Sequence, residues 1–88
     1  MAWAVQLAKK ADRALDDLPP AIYPRIQRAI EELANDPFQG DVLPLHGKQW
    51  KRFYRKRVSD FRIIFTLDHA AHVITIHAVL RRSEKTDN

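Results

Sequence analysis

The chain has 88 residues, no cysteine and a formal net charge of +4. A chain of this length forms one domain and buries only about 60–65% of the surface that it exposes when unfolded, which leaves little room for a deep substrate pocket. The absence of cysteine excludes disulfides and thiolate metal sites, and the four histidines lack the helical spacing of a zinc site. We therefore expect no metal and no cofactor.

The sequence also lacks the signals of membrane insertion and export. No run reaches the roughly 18 apolar residues of a membrane span. The first residues do not show the basic region and apolar run of a signal peptide. The sequence therefore predicts a cytoplasmic protein with a single domain over residues 1–88.

The first half of the chain has the pattern of a strand followed by two helices. Apolar residues alternate over residues 3–7, which predicts a short strand. They then recur at every third or fourth position over 7–18 and 21–34, which predicts two amphipathic helices. The proline pair at 19–20 ends the first helix, and Pro24 falls in the first turn of the second, where its missing N–H has no helical partner. The tight link predicts an antiparallel helix hairpin.

The second half has a period of two. Residues 38–49 contain both glycines and are predicted to form a loop. Three strands are predicted over residues 50–58, 61–67 and 73–80, joined by short turns that favour antiparallel pairing. The order β-α-α-β-β-β predicts an α+β fold, a four-stranded antiparallel sheet with the helix hairpin on one face. The other face of the sheet, called the open face below, is left without helices.

Positive charge is concentrated in one segment. Residues 9–36 carry five basic and six acidic side chains, whereas residues 48–62 carry seven basic side chains and one acidic one. The seven are Lys48, Lys51, Arg52, Arg55, Lys56, Arg57 and Arg62. Strand surfaces use a few cations to prevent edge pairing, but neighbouring like charges repel, so a cluster of this density favours an anion-binding face.

Alternation predicts which side chains share each face of the sheet. The residues predicted on the open face are Lys51, Phe53, Arg55, Arg57, Arg62, Ile64, Thr66, Val73, Thr75, His77, Val79 and Arg81. Those predicted on the helix side are Arg52, Tyr54, Lys56, Val58, Phe61, Ile63, Phe65, Leu67, Ile74, Ile76, Ala78 and Leu80, with the charged heads of Arg52 and Lys56 kept in water. If the strands form a meander, the arginines of the open face converge, and guanidinium groups bind phosphate in a bidentate manner.

Two residues of the open face have alternative interpretations. Phe53 could stack a nucleobase or fill a local gap. His77 could act as a general acid or base, or pack structurally beside its neighbours. The sequence leaves both alternatives open.

Several segments resemble landmarks of the RelE/ParE toxin superfamily. Residues 54–65, YRKRVSDFRIIF, resemble the family signature in which basic residues lead into R-V-G-D-Y-R-I-I-Y. The upstream and downstream landmarks follow in the family's order: Leu18-Pro19, Asp36-Pro37-Phe38, Leu45-His46-Gly47 and Val79-Leu80-Arg81-Arg82. The resemblance covers nearly the whole chain, and the family's fold is the layout predicted above.

The resemblance implies a toxin of a type II toxin–antitoxin system. Members of the RelE branch are ribosome-dependent endoribonucleases that need no metal and cut mRNA in the ribosomal A site. Members of the ParE branch inhibit DNA gyrase instead. Both are neutralised by a cognate antitoxin that wraps the toxin. We favour the RelE-like activity, with gyrase inhibition as the alternative, and expect the antitoxin to be acidic where it meets the arginines of the open face.

The resemblance also implies site residues. The expected catalytic residues are Arg62, Arg82, Arg55 and Arg57. The expected RNA-binding residues are Lys48, Lys51, Arg52, Phe53, Lys56 and Arg81. Arginine is a poor base, so the arginines suit stabilisation of charge on a reacting phosphate. Lys51, Lys56 or His77 would have to accept the proton of the attacking hydroxyl.

The chain departs from the family pattern at three places. Ser59 replaces the usual glycine of the signature, which is tolerable if the turn needs no positive φ. Phe53 stands where some members carry lysine. The C-terminal tyrosine common among the RNase members is absent from residues 83–88, which keeps the gyrase alternative open.

Overall fold

A computed structural model of the chain describes residues 2–81. In chain order the elements are β1 (Ala4–Leu7), α1 (Lys9–Asp16), α2 (Tyr23–Asn35), β2 (Val42–Pro44), a 3₁₀ turn (Lys48–Trp50), β3 (Phe53–Val58), β4 (Phe61–Asp68) and β5 (Val73–Arg81). The predicted α+β class and the order of the predicted elements are confirmed. Within residues 2–81 no helix has the length and apolar character needed to cross a bilayer.

The sheet has five strands in the order β1-β5-β4-β3-β2. The four-stranded antiparallel prediction is wrong in two respects. The strand β2 lies inside the segment predicted to be a loop. Its three residues, which include a proline, are too few to show a period of two, and they form a strand through backbone pairing with β3. The strand β1 runs parallel to β5. It is joined to the other strands through both helices, and parallel neighbours need such a long connection.

The core lies between the helix pair and one face of the sheet. The largest fully buried side chains are Phe65, Ile26, Leu33, Ile63, Ile74 and Ile76. Ile26 and Leu33 of α2 lie seven residues apart, two helical turns, so both point at the sheet. Alternation along β4 then directs Ile63 and Phe65 toward α2, as predicted. The alternate residues of β4 therefore point away from α2, onto the open face of the sheet.

A β-bulge in β5 changes which side chains face the core. Ile64 pairs with Ala78, whereas Phe65 pairs with Ile76, so His77 is an extra residue on β5. Beyond a bulge the alternation is shifted by one residue. The predicted faces of Ala78, Val79, Leu80 and Arg81 are therefore all wrong. Leu80 opposes Arg62 of the open face, whereas Arg81 opposes Phe61 of the helix side. Val79 is buried in the core and Leu80 is 43% exposed.

The turn between β3 and β4 requires a left-handed backbone. Ser59 has a φ of 53°, so the condition under which serine replaces glycine without strain, a turn that needs no positive φ, is not met. A non-glycine residue in this region costs roughly 1–2 kcal/mol. Arg25 on α2 donates a hydrogen bond from Nη1 to Ser59 Oγ at 2.9 Å, which ties the turn to the helix pair.

Candidate functional site

The cationic face of β3 and β4 forms as predicted. Arg57 opposes Arg62, and Phe53 opposes Thr66, across the antiparallel ladder. Residues directly opposite in such a ladder project to the same side. Phe53, Arg55, Arg57 and Arg62 therefore share the open face.

A cleft of about 350 Å³ lies on the open face. We call it the arginine cleft, and its walls are Leu43, Pro44, Leu45, His46, Trp50, Arg55, Arg62, Ile64, Leu80 and Arg81. Its volume is at the lower end for small-molecule sites. Apolar side chains make most of its wall, and three of its lining residues are arginines, so it suits a ligand that is partly flat and apolar and partly anionic.

An acidic residue holds two of the predicted arginines. Arg55 is buried and donates from Nη1 to the main-chain oxygen of Asp41 at 3.2 Å and to its Oδ1 at 3.0 Å. Arg57 Nε lies 3.8 Å from Asp41 Oδ2. The carboxylate partly neutralises this end of the cluster. It also fixes the two guanidinium groups, because Arg55 needs a partner when it is buried.

The structure places Lys56 away from the open face. Its side chain is 3% exposed, and its Nζ lies 2.7 Å from Glu32 Oε1 on α2. The expectation that its ammonium stays in water is wrong, because the side chain points between the sheet and α2. An RNA strand on the open face would not reach this ammonium.

The bulged His77 lies on the open face next to β4. Its Nε2 is 2.8 Å from Thr66 Oγ1, which fixes the plane of the imidazole. Desolvation by burial lowers the pKa of His77 below its ordinary value of 6.5. The ring is therefore neutral at pH 7, which leaves it able to accept a proton.

Three rings from separate elements are in contact through the middle one, and we call them the aromatic row: Trp50, Phe53 and His77. The ring centroids of Trp50 and Phe53 are 5.4 Å apart, and those of Phe53 and His77 are 5.0 Å apart. Trp50 also forms part of the wall of the arginine cleft. Phe53 thus fills the space between two other rings, and the row is continuous with the cleft.

The remaining predicted residues lie at the edges of this surface. Lys48, Lys51 and Arg52 are exposed in and after the 3₁₀ turn, so the strand begins three residues later than predicted. Arg81 is exposed, and its guanidinium carbon lies 6.0 Å from the centre of the Phe61 ring. Arg82 lies outside the described residues.

The acidic and apolar parts of the site are not predicted by the sequence pattern. Asp41 and Leu43 lie in the segment predicted as a loop, and Leu80 was assigned to the core. The alternation of Val42, Leu43 and Pro44 is too short to predict a strand. In the described part of the chain, no three His, Cys, Asp or Glu side chains are grouped so that they could hold a metal ion.

Known proteins share this fold. A family model for the ParE toxin of type II toxin–antitoxin systems, parDE, matches residues 5–86. No curated protein matches the sequence.

Solved structures of toxins superpose over nearly the whole chain. The archaeal RelE–RelB complex from Pyrococcus horikoshii is 29% identical, with a TM-score of 0.79 over 96% of this chain and 99% of that one. The RelBE2 complex from Mycobacterium tuberculosis is 23% identical, with a TM-score of 0.81 over 93% and 100%. The YoeB/ParE toxin from Agrobacterium tumefaciens is 12% identical, with a TM-score of 0.77 over 91% of this chain and 99% of that one. Because the last two structures are less than 25% identical to this chain, their likeness concerns the fold alone. The match over residues 5–86 means that the chain belongs to the ParE toxin family of type II toxin–antitoxin systems, within the RelE/ParE superfamily.

Proposed function

We propose that this toxin is a RelE-like, ribosome-dependent endoribonuclease that cuts mRNA in the ribosomal A site. The observation that carries the proposal is the arginine cleft, where Arg62 and Arg81 line an apolar cavity large enough for a small ligand. The 29% identity to an archaeal RelE supports the same branch.

In this proposal the 2′-OH of the mRNA loses its proton and attacks the adjacent phosphorus. The bond to the 5′-oxygen of the next nucleotide breaks, which leaves a 2′,3′-cyclic phosphate, and the released 5′-oxygen takes up a proton from water. Negative charge grows on the phosphate oxygens as the bond forms. Arg62 and Arg82 stabilise that charge, which is usually the largest contribution of such a site. Arg55 and Arg57 act mainly on position, because Asp41 already binds them. Lys48, Lys51 and Arg52 bind the backbone of the strand, and the ribosome supplies the remaining alignment.

Of the three candidate proton acceptors we propose His77, which lies on the open face with the arginines. Lys56 is buried on the other side of the sheet. Lys51 is exposed after the 3₁₀ turn, at the edge of the open face and outside the walls of the arginine cleft. The neutral imidazole of His77 projects from the open face, held by Thr66.

We further propose a cognate antitoxin with acidic side chains against Arg57 and Arg62. The solved complexes of RelE proteins with RelB support such a partner. A partner that binds only the folded toxin raises its melting temperature. An antitoxin that leaves both arginines accessible to solvent would contradict this assignment.

Gyrase inhibition is the second candidate, because the family model that matches the chain is named for the ParE toxin. The two activities separate in one comparison. The purified chain is added to an in vitro translation reaction and to a gyrase supercoiling reaction. We expect arrest of translation with mRNA cut on the ribosome, and unaffected supercoiling. The reverse result would assign the chain to the gyrase inhibitors.

A further inference from the structure

We propose that the aromatic row, Trp50, Phe53 and His77, is a binding site for unpaired bases of single-stranded RNA. The strand would place its phosphates in the arginine cleft and its bases on the row. The choice of RNA as ligand rests on the proposed function. The site itself rests on the position, exposure and surroundings of the three rings.

The row is not part of the hydrophobic core. The core aromatics are on the other side of the sheet, where Tyr54 stacks on Phe65 with their centroids 5.7 Å apart. Alternation along β3 turns Phe53 away from that side, toward Thr66 on the open face. Trp50 is 38% exposed. A small domain needs to bury apolar surface for its stability, yet the ring of Trp50 remains partly in water. Exposed aromatic surface of this kind often marks a binding site.

The cations around the row fit a nucleic acid. Lys48 precedes Trp50 within the same 3₁₀ turn, and the exposed Lys51 and Arg52 link Trp50 to Phe53. Aromatic rings interleaved with cations are the pattern of surfaces that bind single strands, since every base has a flat face that can stack and every nucleotide carries a charge. An acidic peptide would satisfy the cations but would make little use of the rings.

The row and the cleft are adjacent, as a nucleotide requires. Trp50 belongs to the row and also lines the cleft beside Arg55 and Arg62. Base and phosphate of one nucleotide are only a few bonds apart, so they need neighbouring sites of these two kinds. Bases in a duplex stack on each other and are not available to a ring on a sheet surface. The ligand is therefore a single strand.

The first experiment compares strands that differ only in their bases. The sequence has two tryptophans, Trp3 and Trp50, so a Trp3→Phe chain reports binding through Trp50 fluorescence alone. It is titrated with tetrauridylate and with an abasic tetramer of the same charge. Stacking on an aromatic ring strengthens binding by about 5- to 150-fold per base. We expect the abasic strand to bind at least about tenfold more weakly. Equal affinity for the two strands would overturn the proposal.

The second experiment removes one ring. Phe53→Ala should reduce the preference for tetrauridylate over the abasic strand, whereas Phe38→Ala should leave it unchanged. Phe38 is a matched control because it is 52% exposed and packs against Tyr54, not against the row. If Phe53→Ala fails to fold by circular dichroism, Phe53→Leu keeps the apolar bulk without the flat ring and should also lose the preference. A full preference in Phe53→Leu would overturn the proposal.

These binding measurements are separate from the test of toxicity. Competition by an oligoglutamate peptide as strong as that of tetrauridylate would show that charge alone governs binding, which overturns the base site. A clear base preference in a chain that does not arrest translation would leave the row intact and reject the proposed nuclease. Arrest of translation without a base preference would support the proposed nuclease and overturn the base site on the aromatic row.

Discussion

Arg57 on β3 and Arg62 on β4 stand directly opposite each other on the open face of the sheet. Like charges in this position repel and lower stability unless something compensates. Part of the compensation is internal, since Asp41 lies close to Arg57. The pair keeps two guanidinium groups on one face of the sheet, and we expect a bound phosphate to reduce their repulsion further.

Substitution of Arg62 should separate activity from folding. Arg62→Ala removes one charge from the repelling pair and truncates a side chain on the open face, so we expect a change in stability of less than about 1 kcal/mol. Loss of one preorganised charge contact to a reacting phosphate should reduce the cleavage rate roughly 100- to 1000-fold. Growth inhibition and mRNA cleavage on ribosomes measure the effect.

The control for Arg62 is Phe65→Ala on the same strand. Phe65 is fully buried, and its truncation should cost about 3–5 kcal/mol, enough to unfold a domain of this size. Both variants should be non-toxic, but only Phe65→Ala should lose its circular dichroism melt. Full toxicity of a folded Arg62→Ala chain would show that the active surface lies elsewhere.

Neutralising Asp41 should strengthen RNA binding. Asp41→Asn removes the negative charge beside Arg55 and Arg57, so both guanidinium groups become available to phosphate. We expect higher affinity for a short single strand and a salt slope steeper by about 0.7 in log K against log salt for each phosphate gained. The half-exposed pair should lose about 1 kcal/mol of stability. Asp12→Asn on α1 also removes one negative charge, but away from the open face. We expect it to change neither the affinity for RNA nor the salt slope.

The pair between Lys56 and Glu32 should be a stabilising contact that can be replaced. Glu32→Ala leaves the ammonium of Lys56 buried without this carboxylate, which should cost about 1.5 kcal/mol. That corresponds to a fall of roughly 6–12 °C in melting temperature. In the double variant Glu32→Ala, Lys56→Met, an apolar side chain fills the same space, so most of the loss should be recovered. Thermal melts of the wild type, the two single variants and the double variant complete the cycle. If the double variant recovered none of the lost stability, the burial of Lys56 would be contradicted.

His77 should make stability fall as the solution becomes acidic. Its pKa is lowered in the folded chain by desolvation, so the unfolded chain binds its proton first as the pH falls below about 6.5. The folded state therefore loses stability from that pH downward, and the contribution is fully present above it. His77→Gln should flatten the dependence of the melting temperature on pH between about 7 and 5. The exposed His46→Gln should keep the wild-type dependence, and equal flattening in both variants would contradict the role of His77.

The local sequence determined the helices, the main strands and the face of β4. Period and proline placement are properties of consecutive residues, so Phe61, Ile63 and Phe65 could be assigned to the core, and Arg62 to the open face, without a structure. The family resemblance likewise depends on residues in order along the chain, and the family match confirms it.

Tertiary structure decided the details of the site. Whether β5 contains a bulge depends on how it pairs with β4, and that pairing moves Leu80 into the cleft and Val79 into the core. Asp41 contacts Arg55 because β2 pairs with β3, and a three-residue strand is stabilised by its partner and not by its own pattern. The burial of Lys56 is visible only when α2 brings Glu32 over the sheet. These contacts join residues far apart in the chain, so they are fixed by packing and hydrogen bonding across the fold, which no local period records.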